Sequence, residues 1–242
     1  MKVLIISDIH SNVAALDAVL EDAGEFDTVW CLGDLVGYGP DPNECVERIR
    51  QLPDATCLIG NHDAAVLDVI DSNAFNLEAR TSVYWTKEQL TQENLVYLAK
   101  KPSRTVVDSI TLAHASPRYP IWEYLLDVYT ANANFDHFST DLCLVGHTHV
   151  PVIYHREVDG NNTSLQIPEP NAVIELQRRS IVNPGSVGQP RDRDPRAAYS
   201  IFVPDKMLWD YRRVPYDVQA VQERMVAVGL PERHIRRLSS GW

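Results

Sequence analysis

The sequence predicts an α/β fold in which a largely parallel sheet forms the first half and a mainly antiparallel sheet packs against it. Two observations predict this arrangement. Short apolar runs alternate with helical patterns up to residue 149, and strand-like runs dominate after it. Alternating strands and helices are the order that a parallel sheet requires. We expect the 242 residues to form one domain, residues 1–242.

Five apolar or β-branched runs predict the strands of the first half, and a polar stretch follows each of them. The runs are 3-VLII-6, 28-TVWCL-32, 55-ATCLI-59, 105-TVVDSITLA-113 and 142-LCLV-145. A helix is predicted over residues 11–21, where Val13, Leu16 and Val19 share one face, and another over 40–52, where prolines mark the start.

The second half predicts strands within 150–158, 172–177, 180–183, 198–203 and 207–214. Segment 159–171 is dense in Gly, Asn and Pro, which predicts an exposed, mobile hairpin connection. Segment 215–230 has the pattern of an amphipathic helix, and we expect it to cover a sheet face.

Composition limits the classes of function. A formal net charge of −11 argues against binding long nucleic acid through the general surface field, although a metal ion can reverse that field locally for a small anion. The four cysteines lack CxxC spacing and suit small buried side chains in a reducing cytosol. No apolar stretch has the length of a membrane span, and the first strand begins almost at Met1, which leaves no room for a signal peptide. We therefore expect a cytoplasmic protein with no membrane partner.

Polar side chains follow every strand that is predicted in the first half. The stretches are 7-SDIHSN-12, 33-GDLVGYGPDP-42, 60-GNHD-63, 113-AHASPR-118 and 146-GHTH-149. Ligands of open α/β sheets bind outside the carboxyl ends of the strands. We therefore expect these side chains to converge on one edge of the sheet.

The converging groups form a mixed set of nitrogen and oxygen donors. They are Asp8, His10, Asp34, Asn61, His114, His147 and His149. Such a set suits Mn²⁺, Fe or Zn²⁺ better than Ca²⁺ or Mg²⁺. Seven ligands exceed the need of one ion, so two ions bridged by a carboxylate and a hydroxide are predicted. Asp8 and His10 are spaced i, i+2, so on an extended chain both side chains face the same ion.

The motif order DxH, GDxxG, GNHD, H and GHxH resembles the calcineurin-like metallophosphoesterase superfamily, specifically its small single-domain phosphodiesterase-type members. The match runs from Asp8 to His149, and 183-NPGSVGQPRD-192 also resembles a loop of those members. All ligand positions of the family are present. The resemblance implies a four-layer αββα sandwich with two mixed β-sheets and the metal site at the carboxyl ends of the strands.

The resemblance also implies residue roles. One metal would be held by Asp8, His10, Asp34 and His149, and the other by Asp34, Asn61, His114 and His147. Asp34 would bridge two divalent ions, with Mn²⁺ the expected metal and Fe, Zn²⁺ and Ni²⁺ as alternatives. A hydroxide between the ions would attack phosphorus in line. His62 would protonate the leaving oxygen, and Asp63 would orient His62.

Residues outside these motifs receive weaker assignments. Tyr38, just after Asp34, and Arg191, beside the NPGS turn, are the candidate substrate contacts. Five aromatic residues could line a pocket for a ring, but core packing is the prediction for them. They are Tyr84, Trp85, Tyr119, Trp122 and Tyr124. His137, His155 and His234 are predicted to be solvated or structural, and no role is assigned to them.

The leading hypothesis is a dinuclear metal-dependent phosphoesterase that hydrolyses small phosphodiesters, nucleotides among them, or phosphomonoesters. Protein phosphatases and symmetrical diadenosine tetraphosphatases resemble one another in an arginine after the GD motif, and 33-GDLVGYG-39 has none. That difference weighs against a protein phosphatase, and a diadenosine polyphosphate hydrolase stays an alternative. A protein-binding scaffold, as in the retromer subunit that resembles these enzymes, should show broken motifs. Every motif position of this chain is intact, which weighs against a scaffold. A nucleotide-binding sensor and any oligomeric state stay open.

Overall fold

The computed structural model describes residues 1–157 and 162–242, and within these ranges it contains twelve strands and eight α-helices. The strands are β1 (Val3–Ile6), β2 (Thr28–Cys31), β3 (Thr56–Cys57), β4 (Arg104–Val107), β5 (Ile110–Ala113), β6 (Leu142–Leu144), β7 (Val152–Arg156), β8 (Thr163–Gln166), β9 (Val173–Glu175), β10 (Ser180–Asn183), β11 (Ala197–Val203) and β12 (Leu208–Val214). The helices are α1 (Val13–Ala23), α2 (Pro42–Arg50), α3 (Asn61–Val66), α4 (Leu77–Gln89), α5 (Gln92–Ala99), α6 (Val128–Asn134), α7 (Val218–Ala227) and α8 (Glu232–Ser240).

The strands form two six-stranded mixed sheets. The first sheet has the order β3-β2-β1-β11-β12-β9, in which β1 to β3 are parallel and β11 joins β1 antiparallel. The second has the order β4-β5-β6-β10-β7-β8, in which β5, β6 and β10 are parallel. The two mixed sheets that the resemblance implied are confirmed.

Alternating side chains place each sheet between two layers. Val3 and Ile5 of β1 pack into the core between the sheets, whereas Leu4 and Ile6 pack against α1 and α2. On the far side of the second sheet, Cys143 packs with residues of α6. The layers are therefore helices, sheet, sheet and helix, which confirms the four-layer sandwich.

The prediction that the two halves form separate sheets was wrong. Strands β11, β12 and β9 extend the parallel sheet of the first half, and β5 and β6 belong to the second sheet with β10, β7 and β8. Apolar patterning shows that a strand has buried faces, but it does not show which partner satisfies its backbone hydrogen bonds. Pairing across the sequence therefore decides the sheets.

Two local predictions were also wrong. The run 105–113 is a hairpin of β4 and β5, because Asp108 turns the chain with a φ of 51°. Within the predicted connection 159–171, residues 163–166 form β8, which pairs with β7. Residues 159–161 of that connection lie outside the described residues.

The C-terminal segment forms two helices where one was predicted. Helix α7 begins after Asp217, whose side chain accepts a hydrogen bond from the Ala220 amide at 2.9 Å. Gly229, with a φ of 74°, and Pro231 then separate α7 from α8. The buried face of this pair packs with Ala14 of α1 and Trp85 of α4. The prediction that this segment covers a sheet face was wrong. No helix in 1–157 or 162–242 is long and apolar enough to cross a membrane.

Candidate metal centre

The loops that follow five strands bring the predicted ligands together at one end of both sheets. Asp8 and His10 follow β1, Asp34 follows β2 and Asn61 opens α3 after β3. The remaining ligands, His114, His147 and His149, follow β5 and β6 of the second sheet. Each of the seven residues exposes 3% or less of its surface. The site therefore lies where the edges of the two sheets meet, and not on one sheet alone.

Six of these residues form two groups on either side of Asp34. In the first, the Asp8 group, His149 Nε2 lies 3.4 Å from Asp8 Oδ1 and 3.1 Å from His10 Nε2. The second, the His114 group, contains Asn61, His114 and His147, and Asn61 Oδ1 lies 3.2 Å from His114 Nε2.

Asp34 connects the two groups through one carboxylate oxygen. Its Oδ2 lies 3.6 Å from His10 Nε2 and 3.5 Å from His114 Nε2. Its Oδ1 accepts a hydrogen bond of 2.9 Å from the His62 amide. This backbone contact orients the carboxylate so that its other oxygen faces both groups.

Left-handed backbone produces the convergence. Asp8, His10, Asp34, His147 and His149 have φ values of 55°, 48°, 53°, 65° and 61°. Side chains other than glycine seldom adopt this region, and such strain persists where surrounding contacts enforce it. The prediction that Asp8 and His10 lie on extended chain was therefore wrong. A turn, and not the alternation of a strand, brings their side chains together.

Backbone carbonyls orient three of the histidines. The Nδ1 atoms of His10, His114 and His149 lie 3.1, 2.9 and 2.6 Å from the carbonyl oxygens of Val36, Leu32 and Gln189. A carbonyl only accepts, so each Nδ1 carries the proton and each Nε2 directs a lone pair into the site. His147 Nε2 is also buried, and it has no hydrogen-bond partner among the described residues. This donor pattern fits divalent cations.

Burial sets the charge of the site. It lowers the pKa values of His10, His62, His147 and His149 well below the usual histidine value, so these imidazoles are neutral near pH 7. Burial also raises the pKa of Asp8 to about 7 and, together with the Asp63 charge, raises the pKa of Asp34. Cations bound beside these carboxylates would favour their ionised forms.

The predicted catalytic residues lie beside this centre with different contacts. The His62 ring is 4.9 Å from the His10 ring, and its Nδ1 is buried without a partner among the described residues. The Asp63 carboxylate accepts hydrogen bonds from the amides of Gly60, Leu35 and Val36. Asp63 thus fixes the loop after Asp34, and its predicted action on His62 stays a prediction.

Both predicted substrate contacts lie at the centre. The buried Tyr38 ring is 4.6 Å from the His10 ring and 4.2 Å from the His62 ring. The guanidinium carbon of Arg191 is 5.7 Å from the centre of the Tyr38 ring. Among the unassigned histidines, His234 is buried at 4.4 Å from Tyr38, while His137 is exposed. Nothing in the sequence motifs pointed to His234, because it belongs to the helix that was not predicted.

The core prediction for the aromatic residues was wrong for four of the five. Tyr84, Tyr119, Trp122 and Tyr124 expose 51%, 60%, 39% and 47% of their surfaces, and only Trp85 packs into a core cluster. Two of them reach the site, and they form an aromatic rim with a third ring. The rim consists of Phe75, Trp122 and Tyr124. The Tyr124 ring lies 4.1 Å from the His147 ring, and Phe75 lies 4.9 Å from His62.

Comparison with known proteins assigns the family. The calcineurin-like phosphoesterase superfamily domain matches residues 1–206, so the chain belongs to this superfamily. The crystal structure of a metallophosphoesterase from Sphaerobacter thermophilus is 47% identical, with a TM-score of 0.90, over 100% of this chain and 99% of that chain. An uncharacterized protein of Methanocaldococcus jannaschii is 39% identical over 247 residues, which cover 99% of this chain and 98% of that protein.

Named enzymes match over a shorter segment. The symmetrical bis(5'-nucleosyl)-tetraphosphatase of Pectobacterium carotovorum is 32% identical over 130 residues, which cover 51% of this chain and 46% of that enzyme. The corresponding enzyme of Vibrio parahaemolyticus is 29% identical over 133 residues, which cover 50% of this chain and 47% of that enzyme. The chain thus matches about half the length of these tetraphosphatases.

Replacing Gly60 by alanine tests how tightly the centre is built. The φ of Gly60 is −95°, which any residue adopts, but an added Cβ would lie 2.0 Å from Asp34 Oδ1. We expect the carboxylate to shift and Mn²⁺ affinity, measured by titration calorimetry, to fall about 10- to 100-fold. Gly24→Ala is the control: its φ of 64° strains an alanine at the end of α1, away from the site, but the added Cβ meets nothing within 4 Å, so Mn²⁺ affinity should not change. Unchanged affinity in Gly60→Ala would contradict the placement of Asp34 at the metal centre.

Proposed function

We propose that the chain is a dinuclear metal-dependent phosphoesterase that hydrolyses small phosphodiesters and, more slowly, phosphomonoesters. The observation that carries the proposal is the position of Asp34 between two groups of buried donors whose imidazole lone pairs face inward. The Asp8 group would hold one ion, the His114 group the other, and Asp34 both. Mn²⁺ is the proposed metal, because the donors mix nitrogen with oxygen and include no thiolate.

Metal ions and side chains would have different roles in the proposed hydrolysis. When bound, two divalent ions supply a water molecule of lowered pKa and positive charge beside the phosphoryl oxygens. His62 would offer an N–H to the leaving oxygen, since its neutral ring carries one proton. Tyr38 would position the substrate at the centre, and Arg191 would reach phosphoryl oxygens beside it, since the fork of a guanidinium suits two such oxygens. Burial of His62 and Tyr38 limits the contact of their side chains with bulk water.

The aromatic rim supports a substrate that carries a ring, such as a nucleotide. Trp122, next to Phe75, exposes 39% of its surface, and Tyr124, next to His147, exposes 47%, so a base would stack on them. The tetraphosphatase relatives, which act on dinucleoside compounds by name, make a dinucleoside polyphosphate a second candidate substrate. The absence of an arginine in 33-GDLVGYG-39 weighs against a protein phosphatase.

The cysteines support a location in a reducing compartment, which we propose to be the cytoplasm. Cys31, Cys45, Cys57 and Cys143 are buried and unpaired by disulfides. Burial raises the pKa of the Cys45 and Cys143 thiols and so keeps them unreactive. Cell fractionation tests this location directly.

Hydrolysis of two chromogenic esters tests the proposed activity. With added Mn²⁺ we expect turnover of bis(p-nitrophenyl) phosphate above that of p-nitrophenyl phosphate, and no turnover by metal-stripped protein. Asp34→Asn should lower kcat/KM on the order of 1000-fold, because metal binding contributes several kcal/mol of transition-state stabilisation. If neither ester is hydrolysed while two ions are bound, the enzyme hypothesis fails, and a protein-binding scaffold or a sensor becomes the leading hypothesis.

His62→Asn separates catalysis from metal binding. We expect kcat to fall about 100- to 10,000-fold, the usual range for loss of a general acid or base, while metal analysis still finds two ions per chain. His155→Asn is the control, because His155 lies outside the site on β7. The structure also allows a different result, since His10, Asp34 and His62 offer donor atoms within 4.8 Å of one another. Loss of one ion in His62→Asn would make His62 a metal ligand instead.

Trp122→Ala tests stacking by the aromatic rim. Thymidine 5′-(p-nitrophenyl phosphate) and methyl p-nitrophenyl phosphate share a leaving group and differ in the nucleoside. We expect the variant to lose about 10-fold of its kcat/KM preference for the thymidine ester, in line with the energy of base stacking. Tyr119→Ala is the matched control, because that exposed ring contacts Arg118 and not the rim. An unchanged preference in Trp122→Ala would remove the rim from the substrate site.

A further inference from the structure

Two arginines beside the metal centre share one acceptor. Arg191 Nη2 and Arg237 Nη1 donate to Gln189 Oε1 over 2.9 and 3.4 Å. Arg191 lies in the loop between β10 and β11, whereas Arg237 lies on α8. The shared acceptor places two positive side chains next to one another, and we call them the arginine pair.

The arginine pair has no acidic partner within residues 1–157 and 162–242. Most arginines of the described chain form ion pairs with carboxylates, but neither Arg191 nor Arg237 has one within 4.0 Å in the described residues. Within the same ranges, the Nε atoms of both are buried and lack a hydrogen-bond partner. Burial, and then the charge of Arg191, lower the pKa of Arg237. Two adjacent cations with unsatisfied donors form the complement of an anion.

The arginine pair adjoins the metal centre on one side. The main-chain oxygen of Gln189 accepts the hydrogen bond from His149, a member of the Asp8 group. Arg191 also lies over Tyr38, which contacts His10 and His62. An anion on the arginine pair would therefore be a near neighbour of a phosphate at the metal centre.

On its other side, the arginine pair opens to a cavity. Arg237 lines a cavity of about 430 Å³ between α4 and α8, a volume that holds a small ligand. Two further arginines line this cavity, but Arg233 pairs with Glu78 at 3.3 Å and Arg236 pairs with Glu232 at 2.5 Å. Of these three arginines, Arg237 alone has no carboxylate partner among the described residues.

We propose that Arg191 and Arg237 form a second phosphate subsite, and that the substrate therefore contains at least two linked phosphoryl groups, as in a diphosphate or polyphosphate ester. This inference rests on the proposed function. One phosphoryl group lies at the metal centre, and the adjacent one lies on the arginine pair, with the rest of the molecule directed toward the cavity. The superfamily match ends at residue 206, so Arg237 adds a contact from outside the matched region.

The arginine pair also has a role in the reaction of such a substrate. Water adds its oxygen to the phosphorus at the metal centre and loses a proton to solvent, and the bond from that phosphorus to the bridging oxygen breaks. The bridging oxygen departs with the electron pair as part of the second phosphate. Negative charge develops on that phosphate, where the arginine pair neutralises it.

Binding to metal-free protein tests the subsite without turnover. Methylenediphosphonate, which has no cleavable bridge, is titrated into EDTA-treated protein and followed by calorimetry. We expect binding by the unmodified chain, about 10-fold weaker binding by Arg237→Gln, and a smaller loss in Arg237→Lys, which keeps the charge without the fork. Arg236→Gln, an ion-paired arginine of the same helix, should bind within about twofold of the unmodified chain. Equal losses in Arg237→Gln and Arg236→Gln, or no binding by the unmodified chain, would overturn the subsite.

Kinetics of the Mn²⁺-loaded protein give a second test. We compare kcat/KM for diadenosine diphosphate with kcat/KM for bis(p-nitrophenyl) phosphate. Arg237→Gln should lower this ratio about 10-fold, and Arg48→Gln, an ion-paired arginine of α2 that does not line the cavity, should not change it. An unchanged ratio in Arg237→Gln overturns the proposed substrate class. If the unmodified chain hydrolyses neither compound, the proposed function fails, whereas the binding titration still decides whether the arginine pair holds phosphate.

Discussion

Seven polar side chains share one buried volume where the two sheets meet, and the rest of the molecule serves to hold them there. Burying two carboxylates and four imidazoles costs free energy unless partners satisfy them. Backbone carbonyls satisfy the outer nitrogens of His10, His114 and His149, and backbone amides hold the carboxylates of Asp8 and Asp34. Among the described residues the inward atoms face one another, as His10 Nε2 faces His149 Nε2 at 3.1 Å, and this imbalance is what divalent ions would correct.

The sheet order explains how distant segments reach this volume. Antiparallel β11 extends the first sheet beside β1, while β10 lies beside β6 in the second sheet. The loop between β10 and β11 then crosses above the site, where Val187 and Gly188 donate backbone hydrogen bonds to Ser7 and Asp8. Space there is limited, because a Cβ on Gly188 would lie 1.7 Å from the Ile9 carbonyl oxygen. The second half of the chain thus closes a site whose ligands come from the first half.

Local sequence predicted which side chains converge because their signal is local. A polar residue directly after an apolar strand lies at the carboxyl end of that strand in any sheet, so Asp8, Asp34 and His147 were found without knowing the pairing. The sheets themselves depend on contacts between distant strands, such as β1 with β11, and alternation carries no information about the partner. The prediction of two sheets divided by chain half failed for this reason.

The exposure of the aromatic side chains and the two C-terminal helices were harder to predict, because both depend on tertiary packing. Trp122 and Tyr124 are residue types that usually pack in a core, and only tertiary packing shows that their rings are exposed beside the candidate metal centre. Helix α8 is short and rich in arginine, so it lacks the broad apolar stripe that predicts a buried helix. The sequence analysis therefore did not predict that His234 and Arg237 lie near the site, where they supply contacts that the family motifs do not contain.

Anomalous diffraction from crystals grown with Mn²⁺, recorded on both sides of the manganese absorption edge, tests the central claim most directly. The arrangement of donors predicts two peaks on opposite sides of the Asp34 carboxylate. One peak should lie among Asp8, His10 and His149, and the other should lie among Asn61, His114 and His147. A single peak at saturating Mn²⁺, or peaks that do not approach Asp34, would contradict a dinuclear centre.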